Sequence, residues 1–391
     1  MKVYTTNKDR SKFNVFDGAK HYVVGDHSAL GKNSFELFKG YTDTDEDRER
    51  FHRDFTRWSE ELRTSLGFTF SFKDFWNSNK AITYLFSQLT RERPHAPMTQ
   101  VETEWMDSSY RGGLIYNEDD QELHSADAYD FRAFYARLLG DSDLKIPKRS
   151  GVEKTYTSLP KRLRYGFYRV KVECHDAEVT KVFNFSPNNV YTHQVLTLAR
   201  RLQATAFPSM RINIIADGKP NAFIYRSSYL TDTKSIFGTW FTVLSGIKKR
   251  YPDNKLVKNI LSSTYGRLCR RYTKYVNADD EAAVAEIAAQ PQFRYVKFQH
   301  YKDTFQYVYQ NSTSAYNFRL VPFLTAMGRV TMAETILPHL GKVVRVATDG
   351  VVFREPVDIH IDDFRSDEAY CGHITVRKGH KPEKVSPTDG V

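Results

Sequence analysis

The stretch that most constrains this fold lies at residues 342–355, KVVRVATDGVVFRE. Two β-branched runs flank the dipeptide Asp349-Gly350, and such a dipeptide between extended apolar runs is the strongest short-range signal of a β-hairpin. The sequence therefore predicts a hairpin that turns at Asp349-Gly350 and holds the Asp349 carboxylate on a rigid element. The simpler alternative is a surface hairpin in which this aspartate serves only the turn, so its role depends on the residues that accompany it.

A second carboxylate that fits the same chemistry is Asp130, in the segment SADAYDFRAFYARLL. Residues 128–131 have the pattern of a strand, and the residues after them turn helical. Divalent metals that serve phosphoryl transfer bind hard oxygen ligands, usually one or two carboxylates together with the substrate phosphates. Two ions about 3.5–4 Å apart need carboxylates that can bridge them, which predicts two aspartates on adjacent strands. In isolation, an aspartate at a strand end is more commonly a turn residue.

Two consecutive helices are predicted over residues 232–249 and 254–265. On the second helix Lys258, Ser262 and Tyr265 follow an i, i+4, i+7 pattern, so they share one face, and apolar residues cover the opposite face. A cation, a hydroxyl and an aromatic ring on one face suit a triphosphate and a sugar. The alternative is an ordinary amphipathic helix with one exposed lysine.

The hydrophobic pattern predicts further elements along the chain. Residues 46–66 have apolar side chains at helical spacing, and the preceding YTDTD string at 41–45 reads as the start of that helix rather than as a catalytic sequence. Strands are predicted over 164–174 and 179–185. A long helix over 319–337 leads into the hairpin.

Composition narrows the class of partner and the compartment. The chain of 391 residues has a formal net charge of +10 at pH 7, which suits a polyanionic partner without identifying one. Its three cysteines, Cys174, Cys269 and Cys371, lie far apart and form neither a metal-binding spacing nor a disulfide framework, so we expect a non-secreted protein in a reducing compartment. We find no apolar run of membrane-spanning length and no signal-peptide segment, and therefore expect no membrane partner.

In their order along the chain, these segments resemble the motifs of family B DNA polymerases. Residues 130–136, DFRAFYA, are similar to the family's first motif, an aspartate followed by Ser-Leu-Tyr-Pro. Residues 258–266, KNILSSTYG, are similar to the second motif, KxxxNSxYG, and residues 345–350, RVATDG, to the third, YxDTDS. The gaps between the three, about 130 and 90 residues, suit one catalytic domain with modest insertions.

Two further segments resemble the same family. Tyr110-Arg-Gly112-Gly113 is similar to the YxGG element that joins the exonuclease and polymerase regions, where glycines let the backbone approach a template strand. Residues 325–329, TAMGR, are similar to the TxxAR helix that precedes the third motif. The spacing and the region before the first motif resemble most the protein-primed polymerases of phages, viruses and linear plasmids.

The chain departs from the family pattern at several positions. Ala347 stands where the family usually has the first aspartate of the third motif, although Asp349, the usual metal ligand, is kept. We find no counterpart of the exonuclease Asp-x-Glu before residue 110, and Asp54 would be an isolated remnant of the third exonuclease motif. About 38 residues follow Phe353, fewer than we expect for a full thumb.

These departures shape the activity that the resemblance implies. It implies a truncated, split or minimal DNA-directed DNA polymerase without proofreading. The alternative is a polymerase-like protein with impaired catalysis that binds DNA or a partner. A basic globular protein with chance motif matches is the remaining possibility, and five matches in the family's order argue against it.

The resemblance implies an α+β fold, a polymerase right hand with an antiparallel-sheet palm and helical-hairpin fingers. The domain boundaries follow from the motif positions. We expect residues 1–105 to be a remnant of an exonuclease-like region, 106–231 a palm with an insertion, 232–275 the fingers, 276–355 the palm with the third-motif hairpin, and 356–391 a partial thumb or tail.

The resemblance also implies roles at a two-metal nucleotidyl-transfer site. Asp130 and Asp349 would hold two Mg²⁺, for which Mn²⁺ could substitute, and Lys258 would steady the phosphates. Tyr135 would stack beneath the sugar and exclude a 2′-OH, and Tyr265 would contact the nascent base pair. The remaining nucleotide-binding residues would be Phe131, Lys248 and Lys255. The residues expected to contact DNA are Tyr110, Gly112, Gly113, Gly266, Arg267, Arg329 and Thr348.

The implied partners follow from these roles. They are dNTPs and a DNA primer-template, with a terminal protein as a further candidate primer. A separate chain could supply the missing exonuclease or thumb.

Overall fold

The structure of the chain is a computed structural model. It describes residues 2–6, 13–16, 21–25, 34–36, 44–66, 89–90, 96, 98–268, 273–290, 293–299, 304–309, 318–362, 364–377 and 380–384. The α-helices in these ranges are α1 (Asp45–Leu66), α2 (Gln100–Ser109), α3 (Phe134–Gly140), α4 (His193–Thr205), α5 (Thr233–Arg250), α6 (Lys255–Leu268), α7 (Glu281–Ala288) and α8 (Val321–Ile336). The β-strands are β1 (Lys2–Thr6), β2 (Phe13–Phe16), β3 (His21–Val24), β4 (Ser34–Glu36), β5 (Ile115–Asn117), β6 (Gln121–Phe131), β7 (Lys145–Pro147), β8 (Val152–Lys154), β9 (Gly166–Glu173), β10 (Val190–Thr192), β11 (Arg211–Ile214), β12 (Ala222–Ile224), β13 (Leu230–Asp232), β14 (Thr273–Asn277), β15 (Phe293–Gln299), β16 (Thr304–Tyr309), β17 (Val343–Ala347), β18 (Gly350–Phe353), β19 (Phe364–Ser366), β20 (Gly372–Val376) and β21 (Glu383–Lys384).

The long helices form where apolar residues recur at helical spacing in the sequence. α1 begins at Asp45, and the Thr44 hydroxyl just before it accepts a 3.2 Å hydrogen bond from the Asp47 backbone N–H. A helix therefore starts at the end of the YTDTD string, as predicted. α5 and α6 are the two predicted consecutive helices, and α8 lies within the helix predicted over 319–337.

The chain divides by its contacts into two compact units. The first consists of Met1–Arg93, Tyr135–Asp143 and Thr233–Arg267. The second consists of Pro94–Phe134, Leu144–Asp232 and Leu268–Val391. Asp130 and Asp349 both belong to the second unit, whereas α5 and nearly all of α6 belong to the first.

In the first unit, hydrogen bonds and an ion pair hold α1 against the loop between α5 and α6. Arg250 near the end of α5 forms an ion pair with Glu61 of α1. The Asn254 amide donates a 3.3 Å hydrogen bond to the Asp54 backbone carbonyl, and both residues are buried. The same Asn254 accepts from the Val257 backbone N–H at 3.0 Å, so it also caps α6. A separate four-stranded sheet of this unit has the order β3-β2-β1-β4.

The second unit is built on a seven-stranded sheet. Its order is β21-β20-β6-β18-β17-β5, with β19 pairing with the C-terminal end of β6, and each of these pairs is antiparallel. Strands from two distant parts of the sequence, residues 115–131 and 343–384, thus meet in one sheet. The chain is a mixed structure of helices and antiparallel sheet, which confirms the predicted class. The apolar cluster of this sheet consists of Leu123, Ala126, Ala128, Val344, Val352, Ile374 and Val376.

A second sheet in the same unit has the order β10-β9-β12-β8, and β11 also pairs with β9. Its core is aromatic. Phe323 of α8 stacks on Phe167 of β9 with ring centroids 4.9 Å apart, and Tyr225 meets the Phe167 ring edge-on at 6.1 Å. These rings are buried, so they fix α8 against the sheet.

The strand predicted over 179–185 is wrong. A 3₁₀ helix, Ala177–Lys181, lies at its start, and the Asp176 carboxylate accepts a 2.9 Å hydrogen bond from the Glu178 backbone N–H at its N-terminus. The Lys181 ammonium is buried between Glu118 and Glu178, at 3.1 and 2.9 Å. An N-cap and a buried ion pair therefore override the β-branched pattern of this segment.

A buried charged pair joins the start of α2 to the short 3₁₀ turn before α8. The Arg319 guanidinium donates to both carboxylate oxygens of Glu102, at 2.6 and 2.8 Å, and both side chains are fully buried. The Tyr225 hydroxyl donates to the same carboxylate at 2.9 Å. Each of the two buried side chains is therefore hydrogen-bonded, which offsets part of the cost of burying them.

Among the helices of the described ranges, none is both long enough and apolar enough to cross a membrane.

Candidate active site

The predicted hairpin is present, but its turn lies one residue earlier than the sequence suggests. β17 and β18 pair with Ala347 opposite Gly350, so the two turn residues are Thr348 and Asp349. Thr348 has a φ of +65°, in the left-handed region. Gly350 is the first residue of β18, so the glycine is not used to make the turn.

Gly350 instead lies close to the next strand. It pairs with Asp130 of β6, and a Cβ at position 350 would lie 3.3 Å from the Asp130 Oδ1 and 3.4 Å from the Tyr129 carbonyl oxygen. These distances are tight, so a larger residue here would require the Asp130 carboxylate to shift by a few tenths of an ångström.

The two candidate carboxylates lie on directly hydrogen-bonded backbone. The Phe131 backbone N–H donates a 2.8 Å hydrogen bond to the Asp349 carbonyl, one residue beyond the Asp130–Gly350 pair. Cross-strand partners in an antiparallel pair have Cα atoms about 4.5–5.5 Å apart. The tertiary structure therefore places the backbones of Asp130 and Asp349 on neighbouring strands, although the residues are 219 positions apart in the sequence.

The environments of the two carboxylates differ. Asp130 is exposed, and Asp349 is partly buried at the turn. Burial raises the pKa of the Asp349 carboxyl above its ordinary value. A desolvated carboxylate at the end of a hairpin gains more from a nearby cation than a fully hydrated one does.

Arg365 on β19 is a basic neighbour that the sequence analysis missed. It is the register partner of Asp130 on the other side of β6, so Asp130 lies between Gly350 and Arg365 in the sheet. Cross-strand partners share a face of the sheet, so this guanidinium belongs to the surroundings of the carboxylate. No local pattern indicates it, because β19 is a three-residue strand whose pairing depends on the whole sheet.

The Tyr110–Gly113 segment lies against the same turn. The Thr348 backbone N–H donates a 2.8 Å hydrogen bond to the Leu114 carbonyl. A Cβ on Gly113 would come within 2.6 Å of the Thr348 Oγ1, so this glycine leaves room for the threonine side chain. Two of the predicted DNA-contacting segments are therefore in direct contact.

The side chains of Arg329 and Asn184 hold the backbone of the Tyr110–Gly113 segment in place by hydrogen bonds. The Arg329 guanidinium, which is 5% exposed, donates to the carbonyls of Arg111 and Gly112 at 2.8 and 2.6 Å. The Asn184 amide donates to the Gly113 carbonyl at 3.2 Å. The Arg329 guanidinium therefore fixes the backbone of this segment and is not open to solvent. Asn184 was not predicted, and no sequence signal distinguishes it from other asparagines.

The segment after Asp130 turns into α3, as predicted. The Phe131 ring is buried and stacks on Phe134 at 4.8 Å and against Phe364 at 4.4 Å. Contact between this ring and a nucleotide stays a prediction. Tyr135 lies in the first turn of α3 and is half-buried.

The predicted phosphate-binding residues lie on α5 and α6 in the first unit. Lys258 and Ser262 are exposed on α6, and Val257, Ile260 and Leu261 on its other side are buried, which confirms the amphipathic pattern. The Lys248 ammonium donates to the Pro252 carbonyl in the loop after α5. A Cβ on Gly266 would meet nothing within 4 Å, so packing does not explain this glycine. The side chains of Lys255, Tyr265 and Arg267 lie outside the described part of the structure.

Comparison with known proteins places the fold. Neither a family model nor a curated protein matches this sequence. The structure is similar to that of Phi29 DNA polymerase complexed with single-stranded DNA, with a TM-score of 0.51 and 12% identity, over 90% of this chain and 64% of that one. It is also similar to the ternary complex of Phi29 DNA polymerase with primer-template DNA and incoming nucleotide substrates, with a TM-score of 0.50 and 12% identity, over 90% of this chain and 65% of that one.

These similarities establish the fold alone. The chain spans about 65% of the length of the polymerase that it matches, and the identity is too low to transfer an activity. The chain therefore has a fold similar to that of Phi29 DNA polymerase.

Proposed function

We propose that this chain is a DNA-directed DNA polymerase that transfers nucleotides from dNTPs to a primer 3′-OH. The observation that supports it most strongly is the pairing of β6 with β18, which brings Asp130 and Asp349 onto adjacent, hydrogen-bonded backbone. The similarity of the fold to Phi29 DNA polymerase supports the same reaction. A terminal protein is a candidate primer, and we propose that the chain acts without proofreading because its sequence has no counterpart of the exonuclease Asp-x-Glu before residue 110.

The donor set fits Mg²⁺. Asp130 and Asp349 offer hard carboxylate oxygens, and desolvation of Asp349 favours a cation beside it. We propose that these two aspartates hold a pair of Mg²⁺, or Mn²⁺ as a substitute. Bound there, the ions would lower the pKa of the primer hydroxyl and neutralise charge on the triphosphate.

The glycine segment and the hairpin turn would form the surface for the primer-template. Gly112 and Gly113 present main chain without side chains, and Arg329 and Asn184 fix that main chain in place. Thr348 projects beside Gly113 and would contact the primer backbone. In this arrangement Arg329 is a positioning residue, because its guanidinium is used by two carbonyls. Tyr110, Gly266 and Arg267 would complete the contacts with DNA.

The α5–α6 pair would bind the incoming nucleotide and act as the fingers. Lys258 is exposed at the position expected for a phosphate contact. Lys248 and Lys255 would assist it, Tyr265 would contact the base pair, and Tyr135 would exclude a 2′-OH. We also propose that residues 106–231 and 276–355, on both sides of the fingers, form the palm. Residues 1–105 would be an exonuclease-like remnant, and residues 356–391 a partial thumb or tail.

Primer extension with matched carboxylate variants tests the proposal. Asp130→Asn and Asp349→Asn should each lower Mg²⁺-dependent incorporation of labelled dNTP by orders of magnitude, because each removes an anionic ligand of the ions. Asp119→Asn, at an exposed turn between β5 and β6, is the matched control and should extend like the wild type. Wild-type-like extension by Asp130→Asn would reject the metal assignment.

The alternative function is DNA binding without catalysis. Ala347, which replaces the usual first aspartate of the third motif, favours it because one carboxylate of the turn is missing. A chain that binds primer-template with steep salt dependence, yet incorporates no nucleotide with Mg²⁺ or Mn²⁺, would establish this alternative.

A further inference from the structure

A group of three potential metal ligands lies on the seven-stranded sheet, apart from the two aspartates. Glu122 and His124 are on β6, and His373 is on β20. His124 is six residues before Asp130 on the same strand, which corresponds to about 20 Å at the rise of a β-strand. The group is therefore separate from the proposed catalytic site, and nothing in the proposed polymerase reaction uses it.

Strand register brings the three side chains to one place. Gly372 pairs with Ala126 and Ile374 with Leu123, so His373 faces the two residues between them on β6. This is a β-bulge, a feature that re-aims side chains locally. The imidazole rings of His124 and His373 have centroids 4.6 Å apart. Glu122 and His124 are two residues apart on one strand and so share a face.

The donor atoms of the three residues are already close to one another. One ligand atom from each lies within 4.8 Å of the others, and all three residues are exposed. The Glu122 carboxylate accepts a hydrogen bond from the His373 Nε2. Ligand atoms lie about 2.0–2.2 Å from a bound metal ion, so the three donor atoms need to move only slightly toward one another to share one ion.

The opposite face of the same strands is rigid. Leu123 and Ile374, which alternate with the three ligands, are buried in the apolar cluster of the sheet, with exposures of 7% and 0%. The backbone of the site is therefore fixed by packing, and only side-chain rotations would be needed to bind an ion. Such preorganisation favours metal binding because little conformational freedom is lost when the ligands are ordered around the ion.

We propose that Glu122, His124 and His373 form a binding site for a borderline transition-metal dication, with Zn²⁺ as the expected ion. Two imidazoles and one carboxylate suit Zn²⁺, and water would take the fourth position. Mg²⁺ prefers oxygen ligands, so this site would not compete for the ions held by Asp130 and Asp349. The bound ion would fasten β20, and with it the C-terminal strands, to β6.

Titration of the full, tag-free chain with ZnCl₂ tests the proposal. Isothermal calorimetry should show one saturable equivalent that persists in excess Mg²⁺ and in Asp130→Asn. His373→Ala and His124→Ala should each weaken that binding by roughly tenfold or more, because each removes a ligand. His360→Ala is the matched control, since His360 is also exposed and lies 2.9 Å from a carboxylate, that of Asp358. It should bind Zn²⁺ like the wild type.

Two further measurements distinguish metal binding at these three residues from binding elsewhere on the chain. Co²⁺ in place of Zn²⁺ should give d–d absorption bands that are lost in His373→Ala, and Zn²⁺ should raise the Tm of the wild type but not of that variant. Circular dichroism without metal should show that each variant is folded, and His373→Gln replaces any variant that is not. Equal Zn²⁺ affinity in His373→Ala, or the absence of a saturable equivalent in the wild type, would overturn the site.

Discussion

The Asp130 carboxylate lies against Gly350, 3.3 Å from where a Cβ on that glycine would stand. The two residues are register partners on β6 and β18. A larger residue at position 350 would therefore press on the first proposed metal ligand. This close approach links the strongest sequence feature of the chain, the hairpin, to a candidate carboxylate that lies 220 positions before Gly350 in the sequence.

Gly350→Ala should displace the Asp130 carboxylate, because the added methyl group presses on Oδ1 and on the Tyr129 carbonyl. We expect primer extension to fall by roughly ten- to a hundredfold, as small misplacements of reacting groups do, with a higher Mg²⁺ requirement. Gly341→Ala is the matched control, since a Cβ there meets nothing within 4 Å. Unchanged extension and Mg²⁺ dependence in Gly350→Ala would show that this contact does not position the carboxylate.

Gly113 and Thr348 should be energetically coupled. Gly113→Ala should lower the free energy of unfolding by about 1–3 kcal/mol, because its Cβ would overlap the Thr348 side chain. Thr348→Gly should be near neutral, since relief of the left-handed backbone strain offsets the greater freedom of glycine when unfolded. The double variant should be more stable than the sum predicts, by about 1–2 kcal/mol in a double-mutant cycle measured by denaturation. Strict additivity would contradict the contact.

The buried Arg319–Glu102 pair should be far more sensitive than an exposed one. Arg319→Met should destabilise the chain by about 3–5 kcal/mol, because it leaves a buried carboxylate without its cation. Arg201→Met, which breaks an exposed ion pair with Glu334, should cost only about 0–1 kcal/mol. Adding Glu102→Leu to Arg319→Met should recover part of the loss. Thermal denaturation of the four proteins checks the order, and an equal loss in both single arginine variants would contradict it.

His193 should make the folded chain sensitive to mild acid. Burial lowers the pKa of its imidazole from 6.5 to about 4, against the rings of Tyr165 and Phe323. Because the folded pKa lies below the unfolded one, the unfolded state takes up the proton first as pH falls. The stability is therefore complete above about pH 6.5 and is lost as pH falls toward 4, by on the order of 2–3 kcal/mol.

The Tm of the wild type and of His193→Phe, measured from pH 7.5 to 4, isolates this contribution from other titrating groups. The Tm difference between the two proteins should shift in favour of His193→Phe as the pH decreases. A difference that stays constant across this range would mean that His193 titrates alike in both states.

Tyr135→Val should relax sugar discrimination if Tyr135 lies beneath the sugar. The smaller side chain would leave space for a 2′-OH, so incorporation of ribonucleotides should rise relative to dNTPs. Single-nucleotide extension with paired dNTP and rNTP substrates measures the ratio, and Tyr135→Phe, which keeps the ring, serves as the control. An unchanged ratio in Tyr135→Val would remove the proposed gate.

Local sequence patterns determined the elements that depend on neighbouring residues. The hairpin at 342–355, the capped start of α1 and the amphipathic face of α6 all follow from short-range periodicity and capping. Periodicity failed at 179–185, where the Asp176 cap and the pairing of Lys181 with Glu118 replaced a strand with a 3₁₀ helix. There, one of the decisive partners lies 63 positions away in the chain.

The sequence by itself determined which candidate side chains are available and in what order, because the positions of carboxylates, glycines and lysines are read directly from it. Only the tertiary structure decided what they do for one another. It placed Gly350 against Asp130, assigned Arg329 to two backbone carbonyls, and brought Arg365 beside Asp130. The physical reason is that strand pairing joins residues up to 255 positions apart, as in the pairing of Val376 with Gln121, and no local pattern encodes such a pairing.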